Sequence, residues 1–367
     1  MAQDLKLFSP GPVLVEDSVR NALLHRDICH RSKEFEELLT ALQRKILTLF
    51  NADESYYSVV VSGSGTSANE TVLSSLFQKP DDTALLISNG VFGERLEEIL
   101  LKYRVPIRKI DTAWGERPDL KEVETALKEC PEITAIVMVF HETSTGMINP
   151  VHEVGELSKT YGKIFFVDSV SAAGGQNVDV ADNHIDITTS VGGKCVGAYP
   201  GSAYICARES LLRSITEEQC KNVYLNLYKH YHVAKKSHQT PNTPNITLFW
   251  ALDAALDNII AEGVSNRAAR YASNAGILRK GMKEMGLKFL LEDHMANTVT
   301  SVFLPEGMKL VAFLADMEAD HYVLYPGKGK YLEMNMFQVA NMGAISAMDC
   351  YAFLDCLRGK LKNNWLL

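Results

Sequence analysis

Ala135-Ile136-Val137-Met138-Val139-Phe140 is apolar at six consecutive positions and runs directly into His141-Glu142-Thr143-Ser144-Thr145-Gly146. An amphipathic helix places apolar residues every three or four positions, and a half-buried strand alternates. An unbroken apolar run of this length suits a strand buried on both faces. Working outward, similar short runs stand at 58–62, 84–88, 107–111, 163–168, 185–190 and 203–207. Several of the intervals are long enough for a helix, for example Lys121 to Lys128 and Val154 to Tyr161. Strands alternating with helices predict an α/β layer built on a mostly parallel, seven-stranded sheet.

After about residue 245 the rhythm changes. Helical patterns at 246–263 and 266–286 precede a strand at Thr298–Leu304, a helix at 308–319 and a strand at 321–325. A last strand at 334–340 leads into a helix over 344–361. This predicts a smaller C-terminal α+β domain over 256–367, a large domain over 19–255 and an N-terminal arm over 1–18. Ser9-Pro10-Gly11-Pro12 keeps part of that arm out of regular structure. A chain of 367 residues is long enough for this division.

The formal net charge is −8, with no polybasic run and no aromatic-basic stripe, which argues against nucleic acid and anionic membranes as partners. No apolar run reaches the roughly eighteen residues of a membrane span, and Met1 to Lys6 lacks a signal-peptide pattern. Cysteines stand at 29, 130, 195, 206, 220, 350 and 356, an odd number without a Cys-x-x-Cys pair. Neither a disulfide framework nor a zinc site or other metal is indicated, and a reducing cytoplasm is the expected location. Cys195 reads as a small packing residue.

Chemistry concentrates at the strand ends. Ser62-Gly63-Ser64-Gly65-Thr66 sits where a strand turns into a helix, so its amides and hydroxyls can cradle a phosphate at a helix N-terminus, or simply make a capped tight turn. The Walker and dinucleotide glycine patterns are absent, which argues against nucleoside triphosphates and dinucleotides. Asp168 closes the apolar run Ile164-Phe165-Phe166-Val167, and Lys194 follows it by 26 residues in Gly192-Gly193-Lys194-Cys195. A carboxylate in such surroundings stays ionised when a cation meets it, and an amine there is driven toward its neutral, nucleophilic form. Both demands are met by pyridoxal 5'-phosphate, whose aldehyde takes a lysine and whose pyridinium nitrogen takes a carboxylate. The blander alternatives are an Asp168 that caps its turn with Ser169 and Ser171 and a Lys194 on the surface. Phe92, between Gly90 and Gly93, either packs its loop or offers a face to the cofactor ring. Thr143 stands where it can bond the cofactor's phenolic oxygen; His141 and Glu142 are given no catalytic role.

The ordered set is Ser9-Pro10-Gly11-Pro12, His30-Arg31-Ser32-Lys33-Glu34-Phe35, Ser62 to Thr66, Ser88 to Gly93, Glu142 to Gly146, Val167 to Ser171 and Gly193-Lys194-Cys195. Together, over nearly the whole chain, these resemble the class V, fold-type I pyridoxal-phosphate aminotransferases. Within them Asn89-Gly90, His141 to Pro150 and Val323 to Lys328 most resemble the 2-aminoethylphosphonate–pyruvate transaminases. The resemblance implies a homodimer with active sites at the subunit interface, acting on a small amine and a keto acid. The reaction implied carries the amino group of 2-aminoethylphosphonate to pyruvate, giving phosphonoacetaldehyde and alanine. It further implies that Lys194 bonds the cofactor and carries the proton, Asp168 pairs with the ring nitrogen, Phe92 stacks and Thr143 touches the ring oxygen. Ser64, Gly65 and Thr66 would hold the phosphate, and Thr240 or Thr243 would reach it from the other subunit.

One position departs from the family. Where the group usually carries an arginine for the substrate carboxylate, this chain has Phe337-Gln338-Val339. A neutral amide cannot form arginine's bidentate, charge-assisted pair. Either Gln338 is supplemented by a cation such as Arg31, Lys328 or Lys330, or the usual carboxylate partner is not bound. The second option suits an enzyme whose substrate is a phosphonate or another amine, a transaminase with a different acceptor, or a pyridoxal-phosphate lyase.

Overall fold

The computed structural model describes residues 5–365, so residues 1–4 of the expected arm and 366–367 of the expected C-terminal domain lie outside the described residues. Seven strands form the central sheet: β1 (Tyr56–Gly63), β2 (Thr83–Ser88), β3 (Ile107–Asp111), β4 (Ile133–Val139), β5 (Ile164–Asp168), β6 (Ile187–Val191) and β7 (Gly201–Arg208). Their order is β1-β7-β6-β5-β4-β2-β3. β7 is antiparallel to both neighbours, and the remaining pairs are parallel. Each expected run corresponds to one strand of this mixed sheet.

The continuous apolar runs follow from burial on both faces. In β4, Ile136 and Met138 enter the core under one face of the sheet, while Ala135, Val137 and Val139 enter the core under the other. In β5, Phe165 and Val167 take the first face and Phe166 the second. With six strands pointing one way, the segments that begin at 64, 89, 140, 169 and 192 leave the sheet at one edge. Open α/β sheets bind ligands there.

The C-terminal part builds a second sheet from β8 (Lys288–Phe289), β9 (Val299–Phe303), β10 (Tyr325–Pro326) and β11 (Met336–Ala340), antiparallel in the order β8-β9-β11-β10. Leu278, Phe313, Phe337 and Phe353 fill its core. The single strand expected at 321–325 is split in two. Tyr322–Val323 pairs in parallel with Lys6–Leu7, and Tyr325–Pro326 pairs with β11. Phe8, fully buried and stacked on Phe353 at 4.5 Å in the smaller core, anchors the neighbouring Lys6–Leu7 beside Tyr322–Val323. The expected arm therefore holds a short strand, and a helix, Asp17–Ala22, begins inside it. Helix Ile246–Glu262 crosses the expected boundary at 255/256, and its Phe249, Leu252, Leu256 and Ile259 all pack in the core of the large sheet.

All seven cysteines are free thiols. Among the described residues no helix is long and apolar enough to cross a membrane, and no group of His, Cys, Asp or Glu is placed to hold a metal.

Candidate active site

A cavity of about 340 Å³ opens at the edge where the parallel strands end. Lys194 and Asp168 both line it, as do Ser64, Gly65, Thr66, Phe92 and Lys328. Strands that share a direction thus bring Ser64 and Lys194 to one site, and the C-terminal sheet adds Lys328.

Asp168 is the last residue of β5, in register with Val139 on one side and Thr189 on the other. Its Oδ1 accepts from the Val170 amide at 2.8 Å and its Oδ2 from Asn69 Nδ2 at 2.6 Å. Asn69 stands on the helix Gly65–Leu76, packed over the same face as Phe166. Burial nevertheless raises the Asp168 carboxyl above its ordinary value, more than these two donors lower it. A pyridinium N–H⁺ would supply the missing positive charge.

Lys194 follows β6. Burial is the main cause that lowers its amine to about 8, and the nearby charges of Lys328 and Arg95 act in the same direction. Its Nζ donates to the Pro10 carbonyl. Gly11 sits so close that a Cβ there would come within 2.9 Å of Nζ, and its φ of +127° is glycine territory as well. The Ser-Pro-Gly-Pro turn is thus fitted around the lysine, and Tyr325 fixes it by donating to the Gly11 carbonyl at 3.0 Å. Cys195, beside the lysine, is fully buried and its thiol is pushed up to about 12, so it is a packing residue that stays protonated.

At the other side of the cavity, helix Gly65–Leu76 presents its N-terminus. The N-cap Ser64 makes no side-chain capping bond, leaving its hydroxyl available. The Gly65 and Thr66 amides lie in the first turn, where the helix has no carbonyl for them. A phosphate fits this donor set. With a neutralisable amine, a carboxylate needing a cation and a phosphate cradle on one cavity, the residues fit pyridoxal phosphate.

Three further features were not legible in the sequence. Arg95 lines the cavity, with its Cζ 4.9 Å from the Phe92 ring centroid. Asn69 orients Asp168, as described. Glu142, fully buried, accepts from the amides of Phe92, Gly93 and Ser144 and from the Ser144 hydroxyl, fastening the start of helix Val91–Lys102. A Cβ at Gly90 would collide with Glu142 Cγ, so the glycine makes room for that acid.

The other expected site residues do not line this cavity. Thr143 is buried, and its hydroxyl donates to the His141 carbonyl at 3.4 Å. Gln338 is buried too; its Nε2 donates to the Thr143 carbonyl at 2.7 Å, the Ser144 carbonyl at 3.2 Å and Ser301 Oγ at 3.1 Å. The amide is thereby spent on tying β11 to the 143–144 turn. Arg31 is exposed and bonds Gln239 Oε1 and the Thr240 carbonyl, both at 2.9 Å. Thr240 is buried and donates to the Asn242 carbonyl, Thr243 is exposed, and Lys330 is exposed over the Tyr331 ring.

The chain matches a family model described as aminotransferase class-V over residues 16–314. An uncharacterized aminotransferase of Methanocaldococcus jannaschii is 34% identical over 97% of this chain and 92% of its own length. A 2-aminoethylphosphonate–pyruvate transaminase of Salmonella schwarzengrund is 32% identical over 96% of both chains. Among solved structures, an alanine–glyoxylate aminotransferase from Nostoc sp. superimposes with a TM-score of 0.91 at 27% identity, covering 98% of this chain and 96% of that one.

Proposed function

The chain belongs to the class V aminotransferases and uses pyridoxal phosphate, and from that premise we propose that it transfers the amino group of 2-aminoethylphosphonate to pyruvate. The observation that carries this reading is the pairing of Lys194 with Asp168 on a cavity that also holds basic side chains free for an anionic substrate tail. Relatives named for that substrate, alike over almost the full length, support the choice of amine.

Bound in the cavity, pyridoxal phosphate supplies an aldehyde for the amino group and a ring that accepts electrons as the substrate Cα loses its proton. The protein's own groups do the rest. Lys194, with its amine near 8, holds a useful neutral fraction at physiological pH and so can take a proton from carbon and return it. The Pro10 carbonyl accepts from the same amine and fixes its direction. Asp168, held by Asn69 and the Val170 amide, would keep the ring nitrogen protonated. Ser64, Gly65 and Thr66 would hold the phosphate, Phe92 would lie against the ring, and Thr240 or Thr243 would reach the phosphate from the partner subunit of a homodimer.

Gln338 favours a second reading, in which the amine or the acceptor is a different one, or the amine is eliminated rather than transferred. One experiment separates the two. The loaded enzyme is mixed with 2-aminoethylphosphonate, first without and then with pyruvate. Conversion of the cofactor to its amine form, followed by alanine on adding pyruvate, is the expected result. Release of ammonia with no alanine sinks the transfer reading.

A further inference from the structure

The cavity contains three basic side chains, Lys194, Arg95 and Lys328, and a single acidic one, Asp168. Lys194 and Asp168 are engaged with the two ends of the cofactor in the reading above. Arg95 and Lys328 are then left over. Among the described residues neither takes part in an ion pair or a side-chain hydrogen bond. Both instead lie against Phe92, Arg95 Cζ at 4.9 Å and Lys328 Nζ at 4.8 Å from the ring centroid. An aromatic face holds a cation weakly; it does not neutralise it.

The charge of Arg95 also bears on Lys328. Lys328 is half-buried, and its amine lies below the ordinary lysine value, chiefly through burial and next through Arg95. The buried Glu142 opposes this lowering through its charge, but it forms no ion pair with Lys328, and its oxygens accept from the Phe92, Gly93 and Ser144 donors. Keeping two cations without an ion-pair partner on one partly dry cavity is costly unless an anion arrives.

Their position accounts for Gln338. Tyr325 of β10 is in register with Gln338 of β11, and Lys328 lies just past the end of β10. The Gly327 amide donates to the Met336 carbonyl, which anchors the turn that carries the lysine. The positive charge absent from β11 is therefore present one strand away, on a turn that reaches the cavity.

We propose that Arg95 and Lys328, held together by the Phe92 ring, form the receptor for the substrate's anionic tail and favour a doubly charged phosphonate over a carboxylate. A dianion neutralises both side chains, whereas a carboxylate leaves one charge uncompensated in the same space. The inference rests on the phosphonate amine proposed above and assigns the residues that select it. Arg95 and Lys328 are specificity residues for the tail; they do not handle the migrating proton.

The test uses the full-length, cofactor-loaded enzyme and the variants R95Q, K328M, R95K and K328R. The KM for 2-aminoethylphosphonate and the calorimetric affinities for methylphosphonate and acetate are measured for each. In the parent, methylphosphonate is expected to bind more tightly than acetate. R95Q and K328M should each raise the KM about 10- to 100-fold, with little change in kcat, and abolish the preference for methylphosphonate. K328R and R95K, which keep the charge, should restore most of it and also control for folding. Unchanged methylphosphonate binding in R95Q and K328M overturns the proposal. So does a loss of cofactor affinity at unchanged KM, because the pair then serves the cofactor phosphate. If the parent binds methylphosphonate through these residues yet does not transaminate 2-aminoethylphosphonate, the substrate reading fails while the receptor stands. An unchanged KM for 2-aminoethylphosphonate in R95Q and K328M overturns the receptor and leaves the substrate reading in place.

Discussion

Asp168 and Glu142 are two buried carboxylates at the ends of neighbouring strands, and they differ in how they are bonded. Burial raises both above the ordinary range. Glu142 is enclosed by three amides and a hydroxyl, at the start of the helix that carries Phe92 and Arg95. Asp168 has one donor on each oxygen and otherwise faces the cavity. The first acid is a fastening whose bonding is completed within the fold. The second keeps a side open to the cavity, where a ligand's cation would complete it. Similar burial therefore serves opposite purposes, according to whether the protein or the ligand completes the hydrogen bonding.

The strongest way to probe the incomplete side is to remove its counterpart. K194A should lower amino transfer by about a thousandfold or more, measured as alanine formed from pyruvate, because it removes the amine proposed to move the proton. Borohydride reduction of the loaded parent should place the cofactor adduct on Lys194 in a mass map, and an adduct elsewhere would remove that residue from its role.

D168N comes next, at about a hundredfold or more in turnover, and it breaks the comparison most sharply in the chain without cofactor. The folded-state value of this acid is raised, so its contribution to stability is present below the unfolded carboxylate value and is lost as pH rises through the folded one. At neutral pH, without cofactor, D168N should melt no lower than the parent. A clear drop in melting temperature would mean that Asp168 is structural after all.

E142Q should behave in the opposite way. Its new amide would face the N–H groups of Phe92 and Gly93, leaving donors unmatched at a cost of about 1–3 kcal/mol. Thermal melts should show the loss with or without cofactor, and the KM for amine should rise about tenfold as Phe92 and Arg95 shift. An E142Q protein as stable as the parent would erase the contrast between the two acids.

The smallest effect is a displaced pH profile. Reductive methylation of Lys194 in the cofactor-free chain, followed by mass mapping, needs the neutral amine. Its rate should rise with a midpoint near 8, instead of the ordinary 10.5. A midpoint at the ordinary value would place Lys194 in a wetter site than the one described.

Much of this is readable from the residues alone. The seven strands announce themselves because burial on both faces demands unbroken apolar runs, as in Ala135–Phe140. Lys194, Asp168 and Ser64 to Thr66 stand out because each departs from such a run at the same end. Arg95 does not stand out: in Val91–Lys102 it looks like any charge on an amphipathic helix. Glu142 could equally have been solvated, and nothing near Pro10 says that its carbonyl meets an amine 184 positions away. Gln338 stands out as a missing arginine, but its three acceptors on the 143–144 turn and Ser301 are not foreseeable.

The order of residues, then, determined the strands, the edge at which they end and the groups delivered there, because periodicity and apolar content act over a few neighbouring positions. Tertiary structure alone decided which acid is sealed and which is open. It also decided which cations share the Phe92 ring and what Gln338 holds. Those outcomes depend on packing between distant segments, where a displacement of an ångström or two makes or breaks a hydrogen bond.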